Sequence, residues 1–202
     1  MKIFCIGKNY ADHAAEMKSE VPTTPLVFMK PSTALLKDKQ PFYHPSFSNE
    51  IHHEIELVLK FGKNGKSIQP QFALGYIESY TLGLDFTARD LQQSCKEKGY
   101  PWEIAKSFDH SAVIGDWMPF ENQKFMDSSF FLNVNGIRKQ AGHPKELIFG
   151  LEKLIEYISS IFTIQKGDLL FTGTPSGVGP VKIGDKLEGY LDDIKVLHCD
   201  IK

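Results

Sequence analysis

The chain has 202 residues, 42% hydrophobic and 24% charged, and its 23 lysines and arginines against 25 acids leave a formal net charge of −2. That balance, without a basic block, excludes nucleic acid or an anionic membrane surface as the main partner, and the composition excludes disorder and fibrous repeats. Against about 150 residues per domain, the length predicts one domain, residues 1–202, with a sizeable core.

Residues 2–6 predict a short buried strand, and Gly7-Lys8-Asn9 a turn. From Tyr10 to Met17 good helix formers without a β-branched residue predict a short helix that stops before Pro22. Leu26 to Lys30 predicts a strand ended by Pro31, and Pro41 and Pro45 mark a loop. Between Ile51 and Phe61 the residues alternate, which predicts one strand with His53, Ile55, Leu57, Leu59 and Phe61 on one face and His52, Glu54, Glu56, Val58 and Lys60 on the other. Tyr80 to Phe86 predicts a strand, and Thr87-Ala-Arg-Asp90 a helix start through a capping pattern.

Phe130–Val134, Asn135-Gly136 and Ile137–Gln140 form a hairpin signal with a type I′ turn. A helix is predicted from near Pro144, with Leu147, Ile148, Leu151, Leu154, Ile155, Ile158 and Phe162 on one face. Leu169–Phe171 reads as a strand, Gly173–Pro180 as a Gly/Pro-rich loop, and Lys186–Leu197 as two strands. The sum is a mostly β fold with a few helices (α+β). Cys5, Cys95 and Cys199 have no C-x-x-C spacing, which fits a reducing, cytoplasmic compartment. The Met1–Gly7 segment lacks the character of a signal peptide, and no run approaches the roughly 18 apolar residues of a membrane span, so no membrane association is expected.

Four constellations could carry chemistry. Glu54 and Glu56, two apart in a strand, put two carboxylates on one face, either a solvated edge or part of a cation site. Asp85 stands in an otherwise apolar strand and needs a partner; three converging carboxylates would suit Mg²⁺ or Mn²⁺. A zinc protease motif is excluded because Leu57 stands where H-E-x-x-H needs its second histidine, and His52 and His53 read as structural. His13 and Glu16 are three apart on the short helix, as a solvated pair or as an oriented general base. Lys106 and Lys30 are cations among apolar neighbours, either snorkelling to the surface or donating to a substrate oxygen. The loop from Phe171 to Pro180 is a structural turn or a small anion-binding concavity; it matches neither a Walker A loop nor a Gly-x-Ser-x-Gly elbow.

In this order the segments resemble the fumarylacetoacetate hydrolase family. The motifs are Gly-Lys-Asn-Tyr-Ala-Asp-His at 7–13, Phe-Met-Lys-Pro-Ser-Thr at 28–33, His-His-Glu-Ile-Glu-Leu at 52–57, Leu-Asp-Phe-Thr-Ala-Arg-Asp at 84–90, Ala-Lys-Ser-Phe at 105–108 and Thr-Gly-Thr-Pro-Ser-Gly-Val-Gly-Pro at 172–180. The likeness is greatest to the small acylpyruvases, also described as oxaloacetate decarboxylases. It implies a mixed β-roll, a homodimer, and Mg²⁺ or Mn²⁺ held by Glu54, Glu56 and Asp85. It also implies a His13–Glu16 dyad on a lid over residues 8–21, a substrate lysine at Lys106, and substrate contacts at Lys30, Arg89, Gln92 and Thr174. Where the family often has Arg, this chain has Lys8, which keeps the charge but not bidentate carboxylate recognition.

The expected reaction is hydrolysis of the C–C bond of a small anionic keto acid of the acylpyruvate type: His13, oriented by Glu16, activates water, Lys106 stabilises the oxyanion, and pyruvate enolate leaves. Oxaloacetate reaches the same enolate by losing CO₂. The alternatives are an isomerase or decarboxylase of unsaturated dicarboxylates, a fumarylpyruvate hydrolase, and a catalytically silent module that binds metal or carboxylates.

Overall fold

A computed structural model of the chain describes residues 1–16, 21–37 and 40–202. Strand outweighs helix, as the mostly β expectation holds. The largest sheet runs in the order Leu26–Lys30, Ile3–Gly7, Leu169–Phe171, Ile55–Phe61, Ile77–Asp85 and Ala112–Ile114, with Met118–Pro119 pairing to Ile77–Asp85. A four-stranded sheet (Ile137–Gly142, Phe130–Val134, Lys186–Leu191, Ile194–Asp200) and a three-stranded one (Gly179–Pro180, Ile51–His53, Thr87–Ala88) complete the framework.

The central strands are buried on both sides. Ile55, Leu57 and Leu59 join the main apolar cluster, while Val58 joins a second one with Ile3, Cys5, Ala112, Leu169 and Phe171. The alternation between Ile51 and Phe61 therefore does not mark a solvated face; of the second set only Lys60 and His52 are partly exposed. The segment is also two strands, Ile51–His53 and Ile55–Phe61, which pair into different sheets and leave Glu54 at the break.

Two predicted helix starts move for identifiable reasons. Thr87 and Ala88 pair with His52 and Ile51 as a short strand, so the helix is Arg89–Lys98 and no side chain caps it. Gly99 ends it at φ 67°. At the second helix, His143 and Glu146 form a capping box around a Pro144–Glu146 turn, and the backbone of Ile148 and Phe149 bonds to Asn9. Those bonds hold Leu147 to Phe149 out of the helix, which runs Leu151–Ile161 with Leu151, Leu154, Ile155 and Ile158 inward as the spacing predicts. The Asn135-Gly136 turn has φ values of 52° and 78°, as a type I′ hairpin requires. The short N-terminal helix spans Ala11–Glu16. Residues 17–20 of the expected lid, Met17 of the expected helix among them, lie outside the described residues.

These elements converge on one place. Ile3–Gly7 and Leu169–Phe171 are parallel, and their ends, the start of Ile55–Phe61 and the end of Ile77–Asp85 bring Gly7, Thr172, Glu54 and Asp85 to the same edge of the large sheet.

Candidate active site

At that edge Glu54, Glu56 and Asp85 are 5%, 2% and 1% exposed, and one carboxylate oxygen from each lies within 4.8 Å of the others. Three buried acids so close would repel one another unless cations stood beside them. Lys106, at the end of the Glu103–Lys106 helix, donates to Glu54 Oε2 at 2.8 Å, Asp85 Oδ2 at 2.8 Å and Thr87 Oγ1 at 2.6 Å. Arg89 donates through Nη2 to Glu54 Oε1 at 2.6 Å and through Nη1 to Gln92 Oε1 at 2.8 Å. Lys30 Nζ lies 2.8 Å from Asp85 Oδ1, and donates to Ser111 Oγ at 2.9 Å and to the backbone carbonyl of Lys106. The Lys30 contact to Asp85 is an ion pair without hydrogen-bond alignment, since Asp85 Oδ1 has no such partner among the described residues.

The acids consequently differ in character. Burial works to raise the Glu54 carboxyl, but Lys106 and Arg89 outweigh it and hold it well below the usual range. Glu56 is pushed far upward, first by burial and then by Asp85 and Glu54; the Gly173 N–H, 2.7 Å from its Oε2, opposes this only in part. Burial disfavours the Lys106 ammonium, yet Asp85 and Glu54 keep it charged well above its ordinary range.

His13 faces the same cavity, which has a volume of about 40 Å³ and is also lined by Lys8, Phe28, Arg89, Gln92, Lys96, Trp102, Lys106 and Thr174. Its Nδ1 is 3.3 Å from Glu16 Oε2. Burial pulls His13 below its usual pKa against the opposing pull of Glu54 and Glu16, so the imidazole is neutral near pH 7. Glu16 in turn accepts the Gly177 N–H at 3.1 Å. A Cβ at Gly177, φ 93°, would strike the Lys139 carbonyl oxygen, so glycine permits this approach.

Not every expected contact lies where the sequence suggests. Lys30 is fully buried and does not line the cavity; it sits behind Asp85 and braces the Lys106 backbone. Thr174 reaches the cavity wall, but its hydroxyl donates to Ile55 O and accepts from Gln140, both at 2.8 Å. Lys106 has all three N–H bonds engaged. His52 and His53 stay off the cavity wall, His53 bonding Gln140 at 2.9 Å.

Two buried amides escape the sequence reading. Asn9 donates to Thr172 O at 2.8 Å and to Phe149 O at 3.2 Å, and accepts the Phe149 N–H at 2.8 Å, which pins the turn before His13. Gln140 accepts from Ile55 N and donates to Thr174 Oγ1 and Pro175 O, fixing the 173–177 loop to the strand after Glu54. The only signals are a turn at Asn9 and a lone amide within a strand pattern at Gln140.

The fumarylacetoacetate (FAA) hydrolase C-terminal family model matches residues 2–202. The mitochondrial oxaloacetate tautomerase FAHD1 of Mus musculus is 42% identical over 203 residues, covering 99% of this chain and 91% of its own. The mitochondrial oxaloacetate decarboxylase of Dictyostelium discoideum is 42% identical over 189 residues, covering 93% and 87%. The crystal structure of fumarylpyruvate hydrolase from Pseudomonas aeruginosa, in complex with Mn²⁺ and pyruvate, matches with a TM-score of 0.93 at 36% identity, covering 100% of this chain and 89% of that one. No helix among the described residues is long and apolar enough to cross a membrane.

Proposed function

The chain belongs to the fumarylacetoacetate hydrolase family, and on that premise we propose that it is a metal-dependent enzyme that forms pyruvate enolate from acylpyruvates by C–C hydrolysis and from oxaloacetate by decarboxylation. The observation that carries this reading is the one cavity that His13, 3.3 Å from Glu16, lines together with Glu54, Glu56 and Asp85.

The donor set fits a hard divalent cation: three buried carboxylates with oxygens within 4.8 Å, one of them lacking an aligned hydrogen bond. Lys106 already takes a cation's place between two of them. Glu54, Glu56 and Asp85 would hold Mg²⁺ or Mn²⁺, which would polarise the 2-oxo acid group of a substrate as a Lewis acid.

The chain's own residues then supply the proton chemistry. His13 Nε2 accepts a proton from water as the oxygen attacks the distal carbonyl, with Nδ1 held by Glu16. The C–C electron pair passes to the pyruvate fragment as its enolate, and the imidazolium returns the proton to C3. Lys106 can stabilise the oxyanion if one of its three N–H bonds is released to it. With oxaloacetate no water is consumed, because the leaving fragment is CO₂. At about 40 Å³ the cavity is far below the roughly 300 Å³ of common ligand pockets, so substrate entry requires lining side chains to move, His13 on the short Ala11–Glu16 helix among them.

A second reading is keto–enol tautomerisation of oxaloacetate, favoured by the relatives that carry that activity in their names. It moves one proton between the enol oxygen and C3 with no C–C bond broken, and His13 can carry that proton as it does in hydrolysis. Purified protein with Mn²⁺ is assayed for pyruvate released from acetylpyruvate and oxaloacetate, and for loss of enol absorbance without pyruvate. Pyruvate release supports the first reading; enol loss alone replaces it with the second.

A further inference from the structure

The mouth of the cavity has a chemistry that the reaction above does not use. Lys8 and Lys96 line it beside Arg89, Gln92 and Trp102. Arg89 is committed to Glu54 and Gln92, and Lys106 to three oxygens. Lys8 and Lys96 have no such commitments among the described residues: neither makes an ion pair there. Lys96 lies seven residues after Arg89 and four after Gln92 on the Arg89–Lys98 helix, so the three share a face. Burial weighs most on its ammonium; of the charged groups, Arg89, Lys8 and Lys106 repel it and Glu54 attracts it. An excess of unneutralised positive charge at a cavity mouth is a place for an anion.

The wall between the deep end and the mouth has a definite order. Lys106 Nζ stands 5.2 Å from the Phe28 ring centroid, the Phe28 and Trp102 centroids are 6.3 Å apart, and Lys96 Nζ stands 5.8 Å from Trp102. The sequence along the wall is cation, ring, ring, cation. Lys8 holds a left-handed backbone, φ 57°, that a residue with a side chain rarely adopts, and the buried Asn9 next to it fixes that turn.

We propose that Lys8 and Lys96 bind the carboxylate at the far end of the substrate, so that the cavity selects 2-oxo dicarboxylic acids over otherwise identical acids with a neutral tail. The aromatic pair lies against the carbon chain between the two acid groups. This inference rests on the assignment of the cavity as a keto-acid site, but its test does not depend on turnover.

The probes are 2-oxoadipate and 2-oxohexanoate, which differ only in a terminal carboxylate against a methyl group and have no β-carbonyl to be cleaved. Their dissociation constants are measured by calorimetry on the Mn²⁺-loaded protein. Wild type is expected to bind 2-oxoadipate about tenfold or more tightly, as charge-assisted hydrogen bonds allow. In the Lys8→Gln/Lys96→Gln double variant, with unchanged circular dichroism, that ratio falls to within about threefold, and Lys96→Arg restores most of it to a Lys96→Gln protein. A wild-type ratio near one, no binding of either acid, or a ratio unchanged in the double variant overturns the subsite. A protein that shows the ratio but releases no pyruvate from any β-keto acid keeps the subsite and loses the hydrolase reading; one that releases pyruvate with a flat ratio does the reverse.

Discussion

The two halves of the cavity are built differently. Glu54, Glu56 and Asp85 come from strand ends in the interior of the large sheet, and Lys30, Arg89 and Lys106 brace two of the three. His13 and Glu16 come from a six-residue helix, too short to be stable alone, held among the described residues by its dyad, by a loop amide at Gly177 and by the Asn9 bonds that pin the turn before it. The sheet half is fixed by packing, whereas the helix half depends on a few polar contacts and can move. Rigid carboxylates beside a movable base suit a site that must admit a substrate and then exclude water.

The largest effect that would break this contrast is at Glu56. Glu56→Gln should lower acetylpyruvate hydrolysis about 10³-fold, as expected for losing several kcal/mol of charge stabilisation. The same variant should leave the metal-free protein as stable as wild type or more so, because Glu56 makes no ion pair among the described residues and burial already favours its neutral form. The sign of the pH dependence follows. A carboxyl raised in the folded state contributes stability that is complete below its ordinary value of 4.5 and is lost as pH rises through its folded value. The Glu56 contribution to metal-free wild type should therefore fall on going from acidic to neutral pH, so that the Tm of Glu56→Gln rises relative to that of wild type over the same range. Equal slopes in thermal melts would show that Glu56 is not the strained acid.

On the helix side, Glu16→Gln should reduce kcat about tenfold while leaving Mn²⁺ affinity in place, since Glu16 orients the base and touches no metal-site oxygen. Measured Mn²⁺ affinity that falls with kcat would merge the two halves. The acid limb of kcat/KM should lie below pH 6.5, because His13 must be neutral to accept a proton and burial lowers its pKa. A limb above pH 6.5 would point to another base. The smallest effect on rate concerns the link between the halves: Gln140 is off the cavity wall, and Gln140→Ala acts instead on stability, leaving buried partners unsatisfied at about 1–3 kcal/mol each and lowering Tm by about 2–4 °C per kcal/mol.

The carboxylates were legible in the sequence because an acid within an apolar strand is conspicuous, and Asp85 needed a partner wherever the fold placed it. The hairpin at Asn135-Gly136 and the inward face of the Leu151–Ile161 helix were legible because turn chemistry and helical spacing are local. What escaped was set by contacts distant in sequence. Thr87 looked like a helix cap, but its hydroxyl receives Lys106 and its backbone joins Ile51–His53. Lys30 looked like a cation able to reach either solvent or substrate, and only the pairing of Leu26–Lys30 with Ile3–Gly7 buries it behind Asp85. Asn9 acts through partners 140 and 163 residues away and Gln140 through partners 34 to 87 residues away, which no local pattern reports.

On the proposed reading, His13 is the base and the three acids hold the metal, as separable parts of one site. The most direct measurement is His13→Ala assayed for acetylpyruvate hydrolysis alongside Mn²⁺ titration. The expected result is a fall in kcat of about 10²-fold or more with Mn²⁺ affinity within about twofold of wild type. An unchanged rate, or a loss of Mn²⁺ binding that accounts for the lost rate, would contradict it.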